Sequence, residues 1–273
     1  MTSKAERVAT YAILVVFSAV ALTPVLGVLS TAFADQRSLA TGFAWPNGLH
    51  WHNFVEAWTR GHFSQYLGSS VIVAVSVVVA AALCSTLAAY AFGTMRFPGS
   101  TVLFYMFLIG LTLPEEALVV PLYYDLRGVG LTDTYWALIL PQTAQSIAFG
   151  TFWMRAYFSS APRTLVEAAR IDGANSWTTL WRVLVPVGRP AITTLVVITF
   201  MWTWNEFLLA LVMVTSDDRR TVPLGLVFFQ GQHSSDVSLL AAGAVLVALP
   251  VVVVYLFLQR KFIEGMLTGA VKE

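Results

Sequence analysis

Charge is what this chain has least of. Asp, Glu, Lys and Arg together make up 11% of its 273 residues, where an ordinary soluble domain carries roughly 25%. Hydrophobic residues make up 57%, and mean hydropathy is +0.72. A chain so poor in charge reads as an integral membrane protein, with the lipid bilayer as its first partner. A formal net charge of +1 leaves no basic field for nucleic acid or for acidic substrates. The single cysteine, Cys84, excludes an intrachain disulfide, and its place inside an apolar run reads as core packing. No Gly-rich phosphate loop ending in Gly-Lys-Ser/Thr occurs and the dipeptide Gly-Lys is absent, so the chain is expected not to hydrolyse ATP. No catalytic Ser/His/Asp set converges on one depth. His50, His52, His62 and His233 lack carboxylate or cysteine partners at ligand spacing, so no metal is expected.

What is there instead is a series of long apolar runs, at about residues 8–33, 67–92, 101–126, 135–157, 191–214 and 237–258. Each can cross a hydrocarbon core of about 30 Å as a helix, and each overshoots the tilted strands of a barrel. Backbone amides in hydrocarbon must be paired internally, which helices of this length achieve. The expectation is an all-α polytopic fold with six transmembrane helices, residues 1–273 forming a single transmembrane domain. Lys4 and Arg7 precede the first run, and Ala32-Phe33-Ala34 imitates a signal-peptidase site. The run is too long for a cleaved signal, so it reads as a retained first helix. With the N-terminus inside, only Arg37, Arg60, Arg127, Arg219 and Arg220 of the 16 basic residues face out, which places both termini in the cytoplasm. The loops at about 34–66 and 215–236 then face out, with a short amphipathic helix over 53–58. The segment at about 158–190 and the tail 259–273 face the cytoplasm.

The cytoplasmic segment is the most informative stretch. Pro162 suits a first helical turn after Ser159 or Ser160 as cap, Gly173 suits a left-handed helix end, and Asn175 or Ser176 can cap a second helix. In that second helix Trp177, Leu180, Trp181 and Leu184 form one apolar stripe ending at Pro186, a stripe that lipid or a partner must cover.

Glu167-Ala168-Ala169, followed by three residues to Gly173 and nine more to Val183-x-Val185-Pro186, resembles the EAA loop of bacterial ABC importer permeases, in which Ile and Leu are commoner at the two valine positions. Trp204-Asn205-Glu206-Phe207, Val222-Pro223-Leu224-Gly225-Leu226 and Leu258-Gln259-Arg260-Lys261-Phe262 leading to Gly265 are similar to the carbohydrate permeases of the maltose-type group. The similarity covers nearly the whole chain, most loosely at 34–66. It implies a type I importer permease fold, a sugar or oligosaccharide as cargo, and a second related permease subunit. It also implies two ATPase subunits that bind ATP and Mg, an extracytoplasmic sugar-binding protein, and no cofactor in this chain. ATPase coupling would fall to Glu167, Ala168, Ala169, Asp172, Gly173, Ala174, Trp177 and Trp181. The outer stretch Phe228, Phe229, Gln230, Gly231 and Gln232 would reach into the binding protein. Gly269, Ala270, Val271 and Lys272 would contact the ATPases in an extended tail.

Ionisable groups at membrane depth are costly and mark candidate sites. Glu206, with Asn205 and Trp202, is expected to line a cavity or face a partner, or else to hold its own helix together. Glu115 and Glu116 follow Pro114, with Pro121 beyond, and similar permeases more often carry amides or apolar residues there. They are a structural pair, a sugar contact or residues at a helix end. The alternative function is an ion- or proton-coupled carrier that uses Glu115, Glu116 and Glu206, and it would purify without an ATPase.

Overall fold

The computed structural model describes residues 3–35, 48–230 and 236–270, and every regular element among them is helical. Three helices are long and apolar enough to cross a bilayer by themselves, over Glu6–Ala32, Phe63–Thr94 and Val237–Arg260. Two further helix pairs are long and apolar enough only when taken together, and each is sharply bent. Ser100–Thr112 and Glu115–Gly128 meet at 101°, and Ser176–Val187 and Arg189–Asn205 meet at 78°. The remaining long helix, Trp136–Ser160, has 25 residues, but the polar run Pro141-Gln142-Thr143-Ala144-Gln145-Ser146 takes it out of the strongly apolar set. Six crossings are compatible with this arrangement, and the apolar runs at 101–126 and 191–214 are not straight rods, being interrupted at Leu113 and Pro114 and at Glu206.

The breaks have local causes. Helices α1 (Lys4–Ala32), α2 (His52–Arg60) and α3 (Phe63–Thr94) are followed by α4 (Ser100–Thr112), which stops where Leu113 precedes Pro114. A residue before proline is driven to extended backbone, and Leu113 has ψ 125°. Helix α5 (Glu115–Gly128) then starts with Glu115 and Glu116 in its first turn, where the helix dipole favours negative charge. Beyond α6 (Trp136–Ser160) lie α7 (Arg163–Ile171), the short α8 (Ser176–Thr178), a π turn over Thr179–Leu184 and α9 (Val185–Val187). Helix α10 (Arg189–Asn205) ends at Glu206, whose ψ of 117° is extended, and α11 (Leu208–Met213) resumes. Helix α12 runs over Val237–Ala270.

The chain falls into two compact units. The first comprises Met1–Ser64 and Gly225–Pro250. Its helix α1 opens with a capping box: the Ser3 amide donates to the Glu6 carboxylate at 2.7 Å and the Glu6 amide donates to the Ser3 hydroxyl at 3.2 Å. The other end of α1 is closed from α2, where the buried Asn53 amide donates to the carbonyls of Ala32 and Ala34, both at 2.9 Å. Phe33 packs edge-on to Trp51 at 4.8 Å. The short outer helix expected over 53–58 is therefore present, and it caps α1. Arg60 bridges Glu56 and Asp236, each at 3.3 Å.

The second unit comprises Gln65–Leu224 and Val251–Glu273. It holds two apolar clusters at different levels of α3 and α6. One gathers Val73 and Val77 of α3, Val119 and Leu126 of α5, Ala137 to Ile139 of α6, and Leu209, Ala210 and Met213 of α11. The other gathers Ala89 and Tyr90 of α3, Met154 and Phe158 of α6, Leu180 and Leu184 of the π turn, and Ala191 and Leu195 of α10. Gly150 lets α3 and α6 close up, since a Cβ there would land on the Ser85 side chain. Cys84, expected in the core, is exposed on α3. The cause is helical phase: Ser85 and Thr86 take the buried positions, and Leu83 and Cys84 fall on the exposed face.

Candidate functional site

The Glu167 segment is a rigid two-sided element. Helix α7 ends in a Schellman motif: the Gly173 amide donates to Arg170 O at 3.0 Å, and the Ala174 amide donates to Ala169 O at 2.9 Å. Gly173 takes φ +78°, the left-handed value that the turn needs and that a side chain resists. Asn175 caps the next turn, its side-chain oxygen accepting from the Thr178 amide at 2.8 Å. The Ser159 or Ser160 cap expected for α7 does not form. Helix α6 runs on through Ser160, whose hydroxyl donates to Tyr157 O at 2.8 Å, and Pro162 itself stands at the N-cap position with extended backbone.

Pro186 does not end the second helix. The widened π turn finishes just before it, α9 carries it, and the chain turns at Gly188. A Cβ on Gly188 would stand 2.9 Å from Leu184 O and 3.4 Å from the Tyr157 ring. Helix α6 grips both sides of this bend. The Tyr157 hydroxyl donates to Val187 O at 2.8 Å, and the Trp153 indole donates to Ala191 O at 3.0 Å. These two bonds tie the backbone on either side of the bend to α6.

Of the eight residues assigned to coupling, Ala169 is buried and Ala174 is half-buried, and both serve the Schellman turn. Trp181 is half-buried against the Leu180–Leu184 cluster and its ring lies 5.6 Å from Trp177. Glu167, Ala168, Asp172, Gly173 and Trp177 are exposed, with Trp177 at 63%. Ile171 was not among the expected residues, yet at 86% exposure it is the most open large apolar residue of the segment. Its signal was an apolar residue between Arg170 and Asp172, on the charged side of an amphipathic helix. Tyr157, Trp153 and Gly188 were also missed, because their role exists only once the bend is known.

The intramembrane candidates come together with one exception. Glu115, Trp202, Asn205 and Glu206 line a cavity of about 550 Å³, with Gln142, Gln145 and Ser146 of α6 completing the wall. Along α6 these polar residues fall between the two apolar clusters, and along α10 the residues from Ile198 to Glu206 do the same. Glu115 also borders a second cavity of about 360 Å³ with Asp125. Glu116 lines neither and is exposed. Successive helical residues point about 100° apart, so one glutamate of the pair faces inward and the other away. Glu206 also holds the backbone together, because its carboxylate accepts from the Leu209 amide at 2.8 Å, and the Asn205 side chain donates to Met201 O at 2.7 Å. The two residues stitch the break between α10 and α11. Trp202 stands edge-on to Phe149 at 4.8 Å, which fixes its ring.

A polar knot that the sequence did not announce holds the loop after α5 to the loop after α11. Asp133, at φ +57°, accepts from the amides of Thr215 at 3.0 Å and Ser216 at 2.8 Å, and from the Ser216 hydroxyl. Arg219 pairs with it at 3.6 Å and also donates to its carbonyl. These hydrogen bonds, the Ser216 hydroxyl foremost, hold the Asp133 carboxyl below its ordinary value.

In the outer stretch, Phe228 and Gln230 are exposed, but Phe229 is 2% exposed and is turned inward, where it would meet any side chain placed at Gly243. Phe229 therefore packs the first unit and cannot present its ring to a binding protein. Gly231, Gln232 and His233 lie outside the described residues, as do Arg37, Val271 and Lys272. The tail backbone is helical through Gly269 and Ala270, not extended. Met266 and Leu267 favour helix, and two glycines cost only about 1 kcal/mol each.

A helical membrane protein with a two-helix surface segment and a polar cavity is what a transporter's permease subunit requires. The chain belongs to the family described as binding-protein-dependent transport system inner membrane component, which matches residues 81–266. It is a multi-pass inner-membrane permease subunit of an ABC transporter. Among its relatives, the diacetylchitobiose uptake system permease protein NgcG of Streptomyces coelicolor is 31% identical over 95% of this chain and 87% of its own length. The maltodextrin transport system permease protein MdxG of Bacillus subtilis is 30% identical over 98% of this chain and 96% of its own. In fold the chain is similar to a chain of the crystal structure of a bacterial ABC transporter involved in import of the acidic polysaccharide alginate. That match has a TM-score of 0.77 and 22% identity, and covers 96% of this chain and 99% of that one.

Proposed function

We propose that this chain passes a sugar or oligosaccharide across the membrane in an ATP-driven importer, and that the Glu167 segment is its mechanical joint with one ATPase. The observation that carries this reading is the two-sidedness of that segment. Glu167, Ile171 and Trp177 are held in the open, while the opposite face is pinned to α6 and α10 through Leu180, Leu184 and the Gly188 bend. A push on the open face is delivered to the helices that wall the cavity. A second permease, two ATPases that bind ATP and Mg, and an extracytoplasmic sugar-binding protein complete the assembly. In this reading both termini are cytoplasmic, this chain carries neither nucleotide nor metal, and Phe228 and Gln230 meet the binding protein from outside. The printed substrates of the relatives, diacetylchitobiose and maltodextrin, support the sugar class.

The test is sugar uptake and ATP hydrolysis in vesicles reconstituted with all subunits, for Glu167→Lys and Gly173→Val, with the amount of retained ATPase measured beside them. Valine at a left-handed φ strains the turn by more than about 1 kcal/mol. Dissociation of the ATPase, or hydrolysis without uptake, is expected. Wild-type uptake with a full complement of ATPase in both variants rejects the joint.

A further inference from the structure

The cavity between the two apolar clusters of the second unit is richer in acceptors than its neighbours can use. Glu115 has a buried carboxylate oxygen with no hydrogen-bond partner. Gln142, 6% exposed, lines the same cavity with its amide oxygen also unmet. Turning that amide over leaves its other end for an occupant, so the group is unpaired within the chain either way. Glu206 adds a second carboxylate, one oxygen of which takes the Leu209 amide, and the Glu115 and Glu206 side chains stand within reach of each other in the cavity. Among the described residues that line this cavity or its neighbour there is no Lys, Arg or His, whereas Asp125 adds a third carboxylate to the neighbour.

Carboxylates in a low-dielectric wall are stabilised when a cation with several donors enters between them, and destabilised by an anion. An uncharged polyol would meet the amides but leave the two carboxylates uncompensated. Trp202, its ring fixed by Phe149, offers a flat apolar surface of the kind a pyranose face covers. Asn205 and Gln145 add amides to the same wall. We propose that this cavity is a subsite for an amino sugar with a free ammonium group, the ammonium lying between Glu115 and Glu206 and the ring against Trp202. This rests on the reading of the chain as a sugar-importer subunit and narrows the substrate class of that importer.

The probe is the β-1,4-linked disaccharide of glucosamine, compared with its N-acetylated form and with the corresponding glucose disaccharide. Binding to the complete detergent-solubilised transporter is read by saturation-transfer NMR at a pH where the amine is charged. Binding-protein-stimulated ATP hydrolysis of the same preparation is measured in parallel, because its absence would count against the importer reading itself. The expected result is binding of the free amine at least about tenfold tighter than either uncharged sugar. Glu115→Gln and Glu206→Gln should each remove most of that preference, and Glu116→Gln, next in sequence but outside the cavity, should keep it. Because Glu206 also caps α11, Glu206→Asp serves as a check: it keeps the charge and should retain part of the preference. Equal binding of all three sugars, or no binding of the amine in a preparation whose ATPase is stimulated, overturns the subsite. So does separation of the two permease subunits in the Glu→Gln variants, which would mean that the carboxylates pair with a basic group of the partner permease.

Discussion

At the Glu167 segment the second unit leaves apolar groups in the open, Ile171 and Trp177, above a framework whose turns and carbonyls are met by Gly173, Asn175, Tyr157 and Trp153. At the level of the cavity it does the reverse, enclosing Glu115 and Gln142 with oxygens unmet. The same two helices, α6 and α10, contribute to both regions. An open apolar group on a satisfied frame asks for an apolar partner surface. An enclosed acceptor asks for a donor. In the proposed reading the two regions therefore take different occupants, a protein at one and a solute at the other, and α6 and α10, which serve both, would carry the link between them.

The largest effect expected separates frame from contact at the first region. Leu184, 1% exposed in the cluster with Met154 and Leu195, should cost about 2–5 kcal/mol on replacement by alanine, because a cavity is left in a packed site. Trp177→Ala should change stability by less than about 0.5 kcal/mol, as surface substitutions do. It should nonetheless lower the amount of ATPase that co-purifies. Thermal unfolding in detergent and subunit stoichiometry give the two readings. A Trp177→Ala variant as unstable as Leu184→Ala would show that the tryptophan belongs to the frame, and the comparison would fail.

A second pair sharpens the contrast by setting a satisfied carboxylate against an unsatisfied one. Asp133 takes two amides, a hydroxyl and Arg219, so Asp133→Ala should lose about 1–2 kcal/mol, partial exposure having been allowed for. Glu115→Gln, which replaces a carboxylate that has one buried oxygen without a hydrogen bond, should not lower the thermal midpoint. The Asp133 contribution has a defined pH dependence. Its folded-state carboxyl titrates below the ordinary 3.8, so its stabilisation is complete above that value and drains away as pH falls through the folded value. Asp133→Asn, which tolerates the same positive φ, should differ from the parent at neutral pH and converge with it in acid.

How much of this could be read from the sequence follows from what each feature depends on. Gly173 and the Asn175 cap were legible because a left-handed turn and an N-cap are set by one or two residues. The helical class was legible because hydrocarbon leaves a chain few options. The breaks after Leu113 and Asn205 were hidden inside continuous apolar runs, where hydropathy measures length and not direction. Pro114 gave a hint of the first, and nothing short of the Glu206 contact to Leu209 marked the second. Glu115 and Glu206 were legible as candidates because charge is rare here, but Gln142 and Gln145 were not, because an amide on a helix has a meaning only when the facing wall is known. Phe229 was misplaced for the same reason: Gly243, the residue that makes room for it, lies 14 positions away.

The smallest effect expected is also the most local. Asn175 closes the first turn after Gly173 with its side chain on the Thr178 amide at 2.8 Å, while its carbonyl takes the Thr179 amide at 2.9 Å and the Thr179 hydroxyl at 3.0 Å. Replacement by alanine removes only the side-chain cap and should cost about 1 kcal/mol. Asn175→Asp keeps an acceptor in place, adds charge at a helix start where it is favoured, and should cost almost nothing. The backbone contacts survive in both variants, so the π turn and its buried Leu180 and Leu184 should stay where they are. What changes is the aim of Trp177, which sits in the turn that the cap holds. ATPase retention and coupled uptake should therefore drop in Asn175→Ala by more than its small stability loss explains, and Asn175→Asp should restore both. If coupling instead falls only in proportion to thermal stability, the open face at Trp177 does not depend on a precise frame, and the joint must act mainly through Glu167 and Ile171.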